Sequence, residues 1–170
     1  VPGSIRRKEN GLQKSGRERF IGLHELPRLD VQTFAPSDYL QGNAYVAALG
    51  IEGKRGCDLA CAYCVYPCLG GGRMRLREPR DIVDEMHWLH QEHAVRLFHF
   101  TDPVLNRPAD HFEAICREIK RRKLDLNWTG FFREDTLTKE QLLLARDAGL
   151  IAIYFSADAL TEQGLKVLNK

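Results

Sequence analysis

No stretch of this sequence approaches the run of about 20 predominantly apolar residues that a helical membrane span needs, so none is expected. An excess of charge of one sign is missing too. Lys and Arg number 25 against 23 Asp and Glu, and a net charge of +2 gives no electrostatic footprint for nucleic acid or an acidic membrane surface. The opening Val1-Pro2-Gly3-Ser4-Ile5-Arg6-Arg7-Lys8 is not followed by an apolar h-region, so it does not read as a signal peptide. There is no initiator Met, and Thr161 to Lys170 reads as a helix stopping in mid-pattern, so a segment of a longer chain is expected. Internal repeats and low-complexity tracts are lacking. Cysteine is scarce, at five residues, but four of them fall within 57–68. An odd, clustered set without a secretion signal favours metal binding over a disulfide framework.

What is present organises itself in two parts. Residues 1–44 carry scattered charge and the turn signals Leu26-Pro27, Ala35-Pro36-Ser37 and Gln41-Gly42-Asn43, with little periodicity. They read as an irregular linker or arm. From Tyr45 the pattern changes to short apolar runs alternating with helical periodicity. Tyr45–Ile51, Val95–Phe100, Asn127–Phe132 and Leu150–Phe155 are predicted strands, the third weakened by Gly130. Pro79 suits the first turn of a helix whose Ile82, Val83, Met86 and Leu89 recur on one face. Phe112, Ile115, Cys116 and Ile119 mark a second helix. Thr138-Lys139-Glu140-Gln141 is a capping-box pattern opening a third, with Gly149 as its C-terminal cap. A fourth begins at Thr161.

Four strand–helix units at intervals of roughly 30 residues predict an α/β fold with parallel strands and right-handed crossovers, half of a barrel or most of an open sheet. Either places a ligand site at the carboxyl ends of the strands. The loops there hold the cysteines, Thr101-Asp102, Arg133-Glu134-Asp135 and Ser156-Ala157-Asp158.

Cys57, Cys61 and Cys64 have the spacing C-x3-C-x2-C. Three thiolates on so short a loop wrap one corner of an iron–sulfur cubane and leave its fourth iron for an exogenous ligand. Two other readings stand beside this one. A structural zinc knuckle would recruit Cys68 as its fourth ligand. A fully ligated ferredoxin-like cluster would do likewise, although bacterial ferredoxins begin with C-x2-C.

The triplet, its position after the first strand, and Tyr63 as the aromatic residue before the last cysteine resemble the radical S-adenosylmethionine (SAM) superfamily. The run Lys54-Arg55-Gly56-Cys57 through Cys64-Val65-Tyr66-Pro67, then Gly70-Gly71-Gly72, is similar to members carrying a cobalamin-binding domain on their N-terminal side. In those chains a linker ending in a phrase like Glu25-Leu26-Pro27 precedes the barrel. The resemblance implies the N-terminal half of a partial TIM-like (β/α) barrel at 45–170, truncated at its C-terminus, with 1–44 linking it to an absent cobalamin domain. It also implies a 4Fe–4S cluster on Cys57, Cys61 and Cys64 that reductively cleaves SAM to a 5′-deoxyadenosyl radical. That radical abstracts hydrogen from a small-molecule substrate, with methyl transfer or ring-forming chemistry to follow. A cytoplasmic enzyme served by a reductant such as a flavodoxin or ferredoxin is the corresponding expectation. The alternative from another class is a non-catalytic zinc- or iron–sulfur-binding module closed by all four clustered cysteines.

The resemblance also assigns contacts to SAM. Tyr63 lies beside the cluster. Asp102, in a loop lacking the family's Gly-Gly-Glu pattern, would meet the methionine ammonium, with Asn106 a lesser candidate. Arg133 would pair with the carboxylate, and Ser156 and Asp158 would meet the ribose, although Ala159 stands where relatives have Ser. Outside the site, Cys116 reads as core, His87 and His90 as a helix surface, and Arg73, Arg75, Arg77 and Arg80 as a solvated basic loop. His99, in the second strand, is left open, with projection into the barrel as one reading.

Overall fold

The computed structural model describes residues 5–16 and 49–170, together with the isolated positions 23, 30, 33 and 36. Most of the predicted linker, and Tyr45–Ala48 of the first predicted strand, lie outside the described residues.

Near the start, β1 (Ile5–Lys8) and β2 (Gly11–Lys14) form an exposed antiparallel hairpin, with Ile5 opposite Lys14. The reading of 1–44 as irregular missed it. The signal was Asn10-Gly11, a dipeptide suited to tight hairpin turns.

The main sheet has four parallel strands in the order β3 (Leu49–Ile51), β6 (Leu97–Phe100), β7 (Asn127–Phe132), β8 (Leu150–Phe155). Each strand lies next to its predecessor in the sheet, as parallel pairs joined by helical crossovers do. Between β3 and the first long helix the chain forms a small antiparallel pair, β4 (Lys54–Arg55) with β5 (Arg75–Leu76), around the short helix α1 (Tyr66–Gly70). Then follow α2 (Pro79–His93), α3 (Ala109–Arg122), α4 (Lys139–Asp147) and α5 (Glu162–Leu168). The α/β class and parallel central sheet are as expected.

The helices form where apolar positions recur on one face and the ends are capped. Ile82, Val83, Met86 and Leu89 of α2 are buried, as are Phe112, Ile115, Cys116 and Ile119 of α3. Thr138 Oγ1 accepts from the Gln141 amide at 3.2 Å while Gln141 Oε1 accepts from the Thr138 amide at 3.1 Å, so the capping box is complete. His90 Nδ1 contacts the Val95 carbonyl at 2.9 Å, closing the end of α2.

Strand alternation decides which side chains meet the helices. Phe98, Phe100, Trp128 and Phe132 pack with α2 and α3 in one core. Phe100 meets Trp128, and Phe112 meets Phe132, edge-to-face at 5.4 Å, a favoured aromatic geometry. His99 belongs to the other face, where it contacts Thr129, Phe131 and Tyr154. Gly130 does not break β7. A Cβ there would come within 2.9 Å of Leu105 Cδ2, so the glycine admits the loop that follows β6.

Candidate cluster and cofactor site

At the carboxyl ends of these strands a pocket of about 180 Å³ opens, and Cys57, Cys61 and Cys64 all line it. Cys57 is buried, and that burial pushes its thiol up from its ordinary value; ligation to a metal works the other way, by stabilising the thiolate. Cys61 and Cys64 are half-buried. The Tyr66 amide donates to Cys64 Sγ at 3.4 Å.

Cys68, in α1, is exposed and does not line the pocket. Among the described residues no group of three or more His, Cys, Asp or Glu converges as a single ion requires. Zinc holds thiolates at about 2.3 Å from one centre, whereas a four-iron cube keeps them farther apart. With Cys68 outside the pocket, three cysteines line it, a donor set that fits a cluster held at three corners.

The cysteine loop is tied down on several sides. The Cys57 amide donates to the Gly71 carbonyl at 3.1 Å, and the Cys64 amide to the Cys61 carbonyl at 3.1 Å. From the end of α5, the Leu168 carbonyl accepts from the Ala62 amide at 2.9 Å, and Asn169 Nδ2 donates to the Ala60 carbonyl at 2.7 Å. Arg107 grips Asp58, inside the loop, with Nε at 2.8 Å and Nη2 at 2.9 Å. That hydrogen-bonded guanidinium holds the Asp58 carboxyl below its ordinary range.

The residues assigned to SAM from sequence divide into two sets. Tyr63, Arg133 and Ser156 line the pocket with the cysteines. Tyr63 donates its hydroxyl to Asp158 Oδ2 at 2.5 Å, which raises the phenol's pKa. Asp158 stands one step behind the pocket wall. It accepts first from Lys170 Nζ, at 2.7 Å, and then from Tyr63, and both contacts hold its carboxyl low. Lys170 itself reaches the pocket. Arg133 binds Asp135 through Nε at 2.8 Å, so its charge is shared before any ligand arrives.

Asp102 is placed otherwise. It is buried, does not line the pocket, and accepts from the amides of Gly53 at 2.7 Å and Lys54 at 3.2 Å. Asn106 is also buried. Its Oδ1 accepts from the Arg133 amide and its Nδ2 donates to the Arg133 carbonyl, both at 2.9 Å, so it sets Arg133's backbone rather than meeting a ligand. From the loop after β6 the pocket receives only Pro103 and Val104. Sequence reasoning missed Lys54, whose ammonium is buried beside Asp102 at 3.8 Å.

The basic cluster also departs from a solvated loop. Arg77 Nη1 donates to the Glu52 carbonyl at 2.8 Å and its Nη2 pairs with Glu85 at 2.5 Å, while Arg75 donates to the Gly70 carbonyl at 2.9 Å. Arg73 and Arg80 remain exposed.

The family model of the radical SAM superfamily matches residues 51–170, and the chain belongs to that superfamily. Membership brings the superfamily's two cofactors, a 4Fe–4S cluster and SAM. Among relatives, the anaerobic magnesium-protoporphyrin IX monomethyl ester cyclase of Rubrivivax gelatinosus is 33% identical over 120 residues, covering 68% of this chain and 21% of the relative. The cytidylyl-2-hydroxyethylphosphonate methyltransferase of Streptomyces wedmorensis is 29% identical over 122 residues, covering 69% and 22%. The structure of the radical SAM methyltransferase TsrM from Kitasatospora setae, with cobalamin and a 4Fe–4S cluster bound, superposes with a TM-score of 0.77. It is 22% identical and covers 97% of this chain and 34% of that one. The cobalamin-dependent radical enzyme OxsB gives 0.70 at 18% identity, over 99% and 26%. The structural likeness is one of fold. This chain spans about a fifth to a third of these proteins.

Proposed function

We propose that this chain is the part of a radical SAM enzyme that binds the cluster and the cofactor, within a protein of the cobalamin-dependent group. The observation that carries the reading is the convergence of Cys57, Cys61 and Cys64 on one pocket at the carboxyl ends of parallel strands, with Cys68 outside it. When bound, the cluster supplies one electron that cleaves SAM to a 5′-deoxyadenosyl radical, which takes hydrogen from the substrate.

The chain's own residues bind and orient. Cys57, Cys61 and Cys64 hold three irons and leave the fourth open. Tyr63, Ser156 and Lys170 line the pocket, with Asp158 accepting from both the Tyr63 hydroxyl and the Lys170 ammonium and so holding the two in place. Arg133 offers a guanidinium to the cofactor's carboxylate in exchange for Asp135, a substitution of one carboxylate partner for another. Leu59, Pro67, Pro103, Val104 and Phe132 give the pocket an apolar lining that keeps water from the reacting centre.

The sheet is read as the N-terminal half of a partial barrel. Residues 1–44 then connect it to a cobalamin-binding domain, in keeping with the cobalamin seen in the structural neighbours. Methyl transfer, or the ring formation that the cyclase relatives are named for, is the proposed outcome on a small-molecule substrate. A flavodoxin- or ferredoxin-like reductant in a reducing cytoplasm completes the scheme. Among the described residues no helix is long and apolar enough to cross a membrane.

Iron and sulfide analysis after anaerobic reconstitution tests the ligand assignment. Wild type and Cys68→Ser should each take up about four irons per chain, whereas Cys57→Ala, Cys61→Ala and Cys64→Ala should lose most of them. Equal loss from Cys68→Ser would make Cys68 a ligand and overturn the open-iron reading.

A further inference from the structure

Lys54 is among the most buried side chains of the protein, with 1% of its surface exposed, and its ammonium faces backbone. Nζ donates to the carbonyls of Val104 at 2.5 Å and Leu105 at 3.3 Å, and to that of Arg107. Three donors thus meet three acceptors from one loop, a match to the geometry of a primary ammonium. Burying a lysine is costly unless it is so partnered, and burial pulls its pKa down against the opposing pull of Asp102.

The loop it holds reaches both sides of the site. Asp102, at its start, accepts from the amides of Gly53 and Lys54. Gly53 is required there, because a Cβ would sit 2.7 Å from Asp102 Oδ2. Pro103 and Val104 wall the pocket. Leu105 packs into the space left by Gly130, and its amide donates to the Phe131 carbonyl at 2.7 Å. Asn106 fixes the backbone of Arg133, and Arg107 grips Asp58 between the first two cysteines. Asp102 Oδ1, Asn106 and Arg107 are thus all engaged within the protein, and Lys54 gathers the backbone carbonyls of Val104, Leu105 and Arg107 in the midst of these contacts.

We propose that Lys54 is a positioning residue of the cluster site: it locks the 102–107 loop to the cysteine loop and so sets the affinity for SAM without touching either cofactor. This rests on the reading of Cys57, Cys61 and Cys64 as cluster ligands. Charge compensation of Asp102 alone is the competing role, and it makes a different prediction. In that case, neutralising both partners restores everything.

The test compares wild type with Lys54→Met, Lys54→Arg, the double variant Lys54→Met/Asp102→Asn, and Arg107→Ala. Amide hydrogen exchange is followed on the metal-free chain, and the SAM-induced change in the EPR spectrum on the reconstituted one. Lys54→Met should lose protection at 102–108 and 57–64 while α2 and α3 keep theirs, and should bind SAM about 10- to 100-fold more weakly, as outer-layer partners of metal sites do when removed. Lys54→Arg should not rescue it, since a planar fork cannot serve three carbonyls gathered around one point. The double variant should regain thermal stability but neither loop protection nor affinity.

Wild-type affinity in Lys54→Met, or full recovery in the double variant, would overturn the proposal. So would a uniform fall in protection across the whole chain. Should Lys54→Met not fold, Arg107→Ala decides. Its guanidinium is partly exposed, and its loss should free the cysteine loop while leaving 102–105 protected; no change there refutes the link. A wild-type chain whose cluster ignores SAM would defeat the functional reading, and the exchange data would still test Lys54.

Discussion

Cysteines in this protein differ in what their surroundings let them do. Cys116 lies fully buried on the core face of α3, and burial pushes its thiol up to about 12. Cys68 is exposed. The thiolate is the reactive form, so a thiol reagent at mildly alkaline pH should label Cys68 quickly in the metal-free native chain and leave Cys116 untouched until unfolding. Mass spectrometry of the labelled peptides checks this, and fast native labelling of Cys116 would contradict the packing. The place of Cys116 was open to reading from sequence, because an apolar stripe at helical spacing buries its members, whereas Cys68 was left between a fourth ligand and a mere neighbour of the other three. Asp102 and Lys54 were not. Whether an aspartate after a strand faces a ligand or caps two backbone amides depends on the path of a neighbouring loop, and no local pattern encodes that path. The expected ammonium contact from Asp102 gives way to its two amide bonds for this reason. Arg133, Tyr63 and Ser156 line the pocket with the cysteines because each directly follows a strand or sits within the cysteine motif.

Between elements, α2 and α3 are joined by charge as well as by apolar packing. Glu118 accepts from Arg121 at 2.8 Å and from Arg122 at 2.7 Å, and Arg122 crosses to Asp84 of α2 at 2.5 Å. Hydrogen bonding from Arg121 first, and then Arg122, holds Glu118 at about 2 against an ordinary 4.5. A depressed carboxyl contributes stability that is complete above the ordinary value and is lost as pH falls through the lowered one. Thermal melts should therefore show wild type above Glu118→Gln at neutral pH, with the gap closing between 4.5 and about 2. A gap independent of pH would mean the pair contributes nothing through charge. Arg121 is largely exposed, so the effect is modest. At this scale the sequence was most readable where signals are local: the capping box at Thr138 and the apolar stripes of α2 and α3. It was least readable where pairing closes a longer loop. The two-residue contact of Lys54–Arg55 with Arg75–Leu76 exists because the cysteine loop folds between them. Gly130 argued against a strand only because Leu105, its reason for being glycine, is distant in sequence.

Taken whole, the molecule places its candidate site where parallel α/β sheets place theirs, in loops beyond the carboxyl ends of the strands. The cysteine loop, the 102–107 loop, Arg133 and Ser156 all leave the same edge, and the end of α5 returns to the cysteine loop. The core on the helix face packs beneath this edge. Phe112 contacts both Trp128 and Phe132 there, and Phe112→Ala should cost about 3–5 kcal/mol in chemical denaturation. A loss well under that range would mean the α3 face is loosely packed.

The account turns on an iron left open to SAM, and EPR of the reconstituted, dithionite-reduced chain with and without the cofactor tests it most directly. A 4Fe–4S signal whose shape changes on adding SAM is the predicted result. A cluster signal indifferent to SAM, or a colourless chain holding one zinc in place of iron, would contradict it.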